Sequence, residues 1–385
     1  MPESLAPYLF AVAALFVAAF VYPYLGYPLV LRALPRRPFA DAVRDDDAPL
    51  PSAALLMCAY NEEASLPAKI ENLRAMKAEV PDLAIFAYSD CSSDATAQLL
   101  EDASDILTPV IGTTRAGKVL GMQKLIARTD AEVAVFTDAN VMIDPGSLTT
   151  MLRYFRDPAV GAVATTHEYE EEDDDGSVTA KVGGAYWRLE EHIKQLESAS
   201  GSMMGADGAF FARRRAGYPA IPSELVDDMA VSLGVLFDDM RCVSAPDVIG
   251  RERSVANRDE EFRRKRRIAC GSYSTYRYLK PQMRAMSFLD RFKFFSHKIM
   301  RWWGAAYLLI AAIATVAGLA LTGAGVWGIP TLAIGAAAFV LLGRRNVKGI
   351  GALYEILLAV LATGLGVLES FRGKRYQTWE PAKTR

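Results

Sequence analysis

The chain has 385 residues, 51% of them hydrophobic and 23% charged, a mixture that fits apolar segments segregated from a charged domain. A formal net charge of −2 gives no electrostatic footprint for nucleic acid. Cys58, Cys91, Cys242 and Cys270 stand far apart, without a CxxC pair and beside only three histidines, which argues against a zinc cluster or a disulfide framework.

Residues 8–31 form an apolar run free of charge and long enough to cross a bilayer, with Tyr22, Tyr24 and Tyr27 suited to an interface belt. Arg32, Arg36 and Arg37 follow at once, which puts the amino terminus outside and the rest of the domain in the cytoplasm. A cleaved signal peptide would carry its charge ahead of the run. Residues 35–51, with Asp45-Asp46-Asp47, read as a polar linker.

Short apolar strands are expected over 53–58, 83–88 and 110–112, with a helix over 65–78 between the first two. Ser89-Asp90-Cys91-Ser92-Ser93-Asp94 supplies small polar residues that cap the next helix. Arg115-Ala116-Gly117-Lys118 opens the helix that leads to a buried strand at Val133, Ala134, Val135 and Phe136. That strand runs into Asp138-Ala139-Asn140. Strands alternating with helices imply a doubly wound, mostly parallel sheet whose strand ends bring Asn61, Asp90 and Asp138 to one edge. A carboxylate and an amide carbonyl there suit a hard divalent cation that takes its other ligands from phosphate and water; a helix cap is the plainer alternative.

A further strand is expected over 160–166, then a solvated acidic loop over 168–175 and a helix over 185–197. The many small residues of 201–214 allow close backbone approach to a ligand, or simply a tight turn. Asp227 and Asp228 sit in the first turn of the following helix, where the helix dipole alone would favour acids. The basic stretch 251–267 lacks interleaved stacking aromatics, so it makes a thin case for nucleic acid. Phe288, Phe292, Phe295 and Ile299 recur at helical spacing among Arg291, Lys298 and Arg301, as in a helix lying on a membrane. Residues 304–321, 326–342 and 352–368 are three more apolar segments. Three full spans would put the basic tail outside, against the charge rule, so the last segment, with Glu355, is a candidate for re-entrance.

In this order the motifs resemble the membrane-bound family 2 glycosyltransferases of GT-A fold, the group of cellulose, hyaluronan and exopolysaccharide synthases. The resemblance implies an α/β, Rossmann-like, mostly parallel sheet domain flanked by transmembrane helices. Tyr60, Asn61 and Glu62 match the first nucleotide-binding turn, and Asp90 matches the second acid of an Asp-Asp-Gly-Ser turn, with Ser89 and Cys91 departing from it. Lys118 matches the family's Gly-Lys, and Asp138 with Asn140 the metal motif, asparagine replacing the usual last aspartate. Residues 205–214, with Gly205, Ala206 and Asp207 at their start, look like the acceptor-facing loop; Asp227 and Asp228 match the Glu-Asp pair, which makes Asp228 the implied catalytic base. Where processive members carry Gln-x-x-Arg-Trp, this chain has Arg264, Arg267 and Ile268, so the arginine on the diphosphate is kept and the glutamine and tryptophan are not.

The resemblance implies an inverting transfer from a nucleotide-sugar donor, a UDP-sugar first, with Mg2+ or Mn2+ as cofactor. The acceptor would be lipid-linked or a polysaccharide, the setting a bacterial inner membrane, and the partners membrane lipid and other polysaccharide-synthesis subunits but no nucleic acid. A single-addition polyprenyl-linked transferase and a catalytically inactive scaffold subunit are the alternatives. The expected division is an anchor over 1–34, a linker over 35–50, a cytoplasmic catalytic domain over 51–284, an interfacial helix over 285–303, membrane segments over 304–370 and a tail over 371–385.

Overall fold

The computed structural model of the protein describes residues 3–45, 47–170, 178–253 and 258–376, without the side chains of residues 167–170, 178–181, 227, 252 and 253. Most of the acidic run, residues 171–177, and most of the basic tail, residues 377–385, therefore lie outside the described residues.

Eight strands form one sheet: β1 (Ala53–Ala59), β2 (Ala84–Ser89), β3 (Thr108–Ile111), β4 (Val133–Asp138), β5 (Met142–Ile143), β6 (Val160–Glu170), β7 (Phe210–Arg214) and β8 (Arg241–Arg253). Their order is β3-β2-β1-β4-β7-β6-β8-β5. The first half is parallel, as the alternation of strands and helices implies. The second half is mixed: β7 runs antiparallel to both β4 and β6, β8 lies parallel to β6, and β5 returns antiparallel along β8.

Thirteen α-helices accompany this sheet among the described residues. In the sheet domain they are α3 (Leu66–Glu79), α4 (Thr96–Asp102), α5 (Lys118–Ile126), α6 (Ser147–Tyr154), α7 (Val178–Ala199), α8 (Asp227–Phe237) and α9 (Arg258–Leu279). Ahead of them stand α1 (Ala6–Val21) and α2 (Gly26–Ala33). After them come α10 (Phe288–Trp302), α11 (Gly304–Ala320), α12 (Gly325–Arg344) and α13 (Ile350–Phe371).

Every residue of β1 is buried, because the strand is covered on both faces. Ala53, Leu55, Met57 and Ala59 face a core shared with α3 and α6, whereas Ala54, Leu56 and Cys58 face a second core with α5 and α8. The two-residue period of a strand thus feeds two separate helix layers. The second core continues through Tyr273 of α9 to Phe294 and Trp302 of α10, so the membrane-side helices are packed on the sheet domain.

The flanking helices differ in detail from the expected spans. The run at 8–31 is two helices bent by 57°. Pro23 lies at the break, where its missing N–H and fixed φ cannot continue a helix. α10 and α11 are likewise bent, by 60°. α12 and α13 are each long and apolar enough to cross a membrane, and counting each bent pair as one span raises the number from two to four. α10 turns Lys293, Phe294, Ser296 and His297 inward and leaves Phe288 and Phe295 exposed.

Several basic residues of α9 are engaged in ion pairs. Arg258 pairs with Glu355 at 2.5 Å, Arg266 with Glu369 at 3.6 Å, and Lys265 with Glu261 at 3.1 Å. Glu355 is thereby a buried partner of α9. The two helices meet closely at Gly366, where a Cβ would come 2.3 Å from the Arg266 carbonyl oxygen. Gly366→Val is therefore expected to force α9 and α13 apart at a cost of about 1–3 kcal/mol. Thermal unfolding in detergent checks this, with Gly335→Ala, which has open space around it, as the silent control.

Candidate active site

The site is assembled from turns at the carboxyl ends of β1, β2 and β4, where an open α/β sheet places its ligand crevice. After β1, Asn61 adopts a left-handed φ of 52°, which asparagine tolerates better than most residues. Its Oδ1 accepts from the Ser93 amide at 2.9 Å, and its own amide donates to Ser92 Oγ at 3.2 Å. The Glu62 amide donates to Thr96 Oγ1 at 2.8 Å. The turn after β1 is stitched in this way to the turn after β2.

Asp90 is fully buried. Its Oδ1 accepts from the Ala116 amide at 2.7 Å and its Oδ2 from the Gly117 amide at 2.9 Å, with Arg115 Nε 3.7 Å away. A buried carboxylate needs such partners, and here they are the backbone of the turn that opens α5. Gly117, at φ 87°, has the backbone conformation that favours glycine there. Arg115 lies with its guanidinium carbon 3.2 Å from the centre of the Tyr60 ring, a cation–π contact joining the same turn to β1.

The turn delivers Lys118. Its Nζ donates to Asp138 Oδ1 at 2.6 Å and to the Gly208 carbonyl at 3.2 Å. Gly208 in turn lies against α8: a Cβ on it would come 2.7 Å from Asp228 Oδ2. Asp228 Oδ1 accepts from the Met229 amide at 2.5 Å. Lys118, Asp138, Gly208 and Asp228 therefore converge, although they come from four separate parts of the chain.

Of the other residues singled out in the sequence, Tyr60, Asn61, Glu62 and Asp90 form a second group, joined to the first by the Arg115–Lys118 turn. On the far side, the Ala206 amide donates to Ser232 Oγ at 2.9 Å, and that hydroxyl donates to the Asp228 carbonyl at 2.6 Å. Asp207, beside Gly205 and Ala206, pairs with Lys194, a buried lysine that also holds Glu191 at 2.9 Å. Asp227 opens α8, but its side chain lies outside the described residues. Arg264 and Arg267 stand on α9, where Arg264 pairs with Glu261 at 3.4 Å. That helix also steadies the start of α8, since the Val226 amide donates to Thr275 Oγ1 at 2.9 Å.

Asp138 and Asn140 offer oxygen donors only, on a strand end where the Asp138 side chain is 36% exposed. Among the described residues no group of three or more His, Cys, Asp or Glu side chains stands ready to hold a metal ion. An oxygen pair of this kind fits a hard cation that draws the rest of its shell from phosphate and water.

Sequence reasoning missed Lys69. It lies behind the Asp138–Asn140 turn, fully buried, donating to Thr137 Oγ1 at 3.0 Å and to the Val141 carbonyl at 2.5 Å. The available signal was its position: Lys69 falls on the apolar stripe of Leu66, Ile70 and Leu73, where a lysine is out of place. Burial pushes its ammonium down to about 7, with Asp138 opposing the shift.

The mixed sheet and its strand-end crevice make this a GT-A-like α/β domain. Residues 54–219 match the family model for Glycosyl transferase family 2. Over 95% of its length the chain is similar to the solved structure of the mannosyltransferase PcManGT from Pyrobaculum calidifontis in complex with GDP-Man and Mn2+, of which it covers 99%, at 19% identity and a TM-score of 0.68. It is also similar to glucosyl-3-phosphoglycerate synthase from Mycobacterium tuberculosis (17% identity, 58% of this chain and 80% of that one, TM-score 0.40). Mannosyl-3-phosphoglycerate synthase from Rubrobacter xylanophilus stands at 19% identity, 67% of this chain, 84% of that one and a TM-score of 0.42. The sequence matches no curated protein.

The Lys69 ammonium gives a pH prediction. The folded value of about 7 lies below the ordinary 10.5, so between them the unfolded chain holds a proton that the folded chain has lost. Stability contributed by this group is therefore gained as pH rises through that window. The difference in melting temperature between Lys69→Met and the natural protein is expected to change between pH 7 and 10, in favour of the natural protein at the alkaline end. A pH-independent difference would refute a neutral lysine in the fold.

Proposed function

We propose that this chain is an inverting hexosyltransferase that moves a sugar from a nucleotide diphosphate donor, a UDP-sugar first, to a hydroxyl of a glycan or lipid-linked acceptor. Its setting is a bacterial inner membrane, with the catalytic domain, residues 51–284, on the cytoplasmic side and exopolysaccharide or cell-surface polysaccharide as the product. The observation that carries this reading is the convergence of Lys118, Asp138 and Asp228 around Gly208. A phosphate-binding cation and a metal-binding acid lie there beside a second acid suited to take a proton. Two helices long and apolar enough to cross a membrane support a membrane setting, and the likeness to PcManGT, solved with GDP-Man, puts GDP-sugars on the list of donors to test.

In the mechanism Tyr60, Asn61, Glu62 and Asp90 frame the nucleoside side, and Asp90 holds the turn that aims Lys118 at the phosphates. Asp138 and Asn140 would hold a divalent cation, Mg2+ or Mn2+, which when bound would supply positive charge opposite the leaving diphosphate. Lys118, with Arg264 and Arg267, adds charge-assisted bonds to diphosphate oxygens. Asp228 accepts the proton of the acceptor hydroxyl as its oxygen attacks the anomeric carbon. The bond from that carbon to the diphosphate breaks on the opposite face, so a single displacement inverts the centre without a covalent enzyme intermediate. Gly205, Ala206, Asp207 and Asp227 border the acceptor, and the carboxyl-terminal helices hold a lipid carrier or a growing glycan.

A second reading within the same chemistry, one addition to a polyprenyl carrier, is favoured by Ile268, which is 45% exposed where processive relatives stack a tryptophan on the acceptor. The test uses detergent-solubilised protein with Mn2+, a panel of UDP- and GDP-sugars, and bacterial lipid extract present or absent. Release of nucleotide diphosphate from one donor, stimulated by lipid and abolished by EDTA, is expected, and product sizing separates one addition from many. Asp228→Asn is expected to lower turnover by about 100-fold or more with donor binding kept. Equal loss of binding and turnover would remove Asp228 from the base role. Nucleotide binding without release from any donor would instead identify a non-catalytic synthase subunit.

A further inference from the structure

Glu197, near the end of α7, is fully buried. Its Oε1 accepts from the Tyr27 hydroxyl at 2.6 Å and lies 2.9 Å from His297 Nδ1. Its Oε2 accepts from the Met204 amide at 3.0 Å. The main-chain carbonyl of Glu197 accepts from Lys293 Nζ at 2.9 Å, and the same ammonium reaches the Ser202 carbonyl at 3.1 Å. The other ring nitrogen of His297 lies 2.8 Å from Glu190 Oε1. Burial alone would raise the Glu197 carboxyl, but His297 and the hydrogen bond from Tyr27 outweigh it and hold it below the usual carboxylate range.

These contacts join three places. Tyr27 belongs to α2 and Lys293 and His297 to α10, both on the membrane side of the molecule. Ser202 and Met204 belong to the loop that continues through Gly205, Ala206 and Asp207 to Gly208. From Ala206 the hydrogen bonds run on through Ser232 to the carbonyl of Asp228. A buried ionic cluster is a poor way to add stability, since apolar packing of the same volume often does as well or better. Its hydrogen bonds are directional, however, and they fix where the loop backbone lies.

We propose that Glu197, seated by Tyr27, Lys293 and His297, is a positioning residue for the acceptor side of the site. The docking of α2 and α10 on α7 would then set the 201–208 loop and, through it, the approach of an acceptor to Asp228. The donor side, built on β1, β2 and the Arg115–Lys118 turn, does not draw on this cluster. The inference rests on the reading of Asp228 as base and of the loop as acceptor-facing.

Glu197→Gln keeps the volume but loses the charge opposite His297 and one of the two acceptor oxygens. Tyr27→Phe is the milder variant, removing a single hydroxyl far from the loop in sequence. Both are expected to raise the KM for bacterial lipid extract, about tenfold for Glu197→Gln and a few-fold for Tyr27→Phe. Mn2+–UDP binding and acceptor-free nucleotide release should stay at the level of the natural protein. Hydrogen exchange at the 201–208 amides should quicken about fivefold or more in both variants. Parallel loss of acceptor-dependent and acceptor-free release, or unchanged exchange in the loop, would overturn the positioning role. Absence of nucleotide release by the natural protein itself would instead overturn the transferase reading, while the exchange measurement would still report whether α2 and the loop are coupled.

Discussion

β7 runs against β4, and where the two strands meet the amide of Asp138 donates to the Ala209 carbonyl at 2.9 Å. Phe136 and Phe211 stack across the pair at 4.7 Å, fixing the register by packing as well as by hydrogen bonds. An antiparallel strand enters the sheet at the edge where its neighbour leaves, so the loop before β7 lies over the end of β4. That geometry brings Gly208 to Lys118 and lets Asp228 approach from α8. The parallel half of the sheet alone would gather Asn61, Asp90 and Asp138 but would leave the second acid elsewhere.

Buried ionisable groups hold several of the turns. Asp90 caps the amides of Ala116 and Gly117, Lys69 holds the Val141 carbonyl, and Lys194 holds Asp207. Arg213, also fully buried, donates to the carbonyls of Arg214, Val231 and Ala216. Each such group is costly without partners and directional with them. The pattern is that of a site whose loops are positioned by buried ionisable groups placed behind them, on rigid strands and helices.

The membrane-side helices are part of this arrangement. α10 contributes Phe294 and Trp302 to the core beneath α8 and α9, and α13 lies so close to α9 that only a glycine fits at position 366. Motions of these helices relative to the sheet domain would disturb apolar packing and buried ion pairs together, so the helices and the domain are best regarded as one packed body.

Much of the first half of the fold was legible in the sequence. Strands covered on both faces read as continuous apolar runs, and Val133 to Phe136 is such a run; small polar residues after each strand announced the turns that carry Asn61, Asp90 and Asp138. The second half was less so. β7 was hidden in a glycine-rich stretch, and β8 carries Arg241 and Asp247, whose polar side chains serve as internal partners and break the pattern. The apolar run at the amino terminus concealed the bend at Pro23. Local periodicity records which face of one element is apolar, and it holds no record of which other element covers that face. The sequence by itself therefore determined the class of fold, the apolar helices and the chemical types at the strand ends. Only the tertiary structure decided that Lys118 meets Asp138, that Gly208 meets Asp228, and that Glu197 meets His297 across 100 residues, because such pairings depend on strand direction and helix docking.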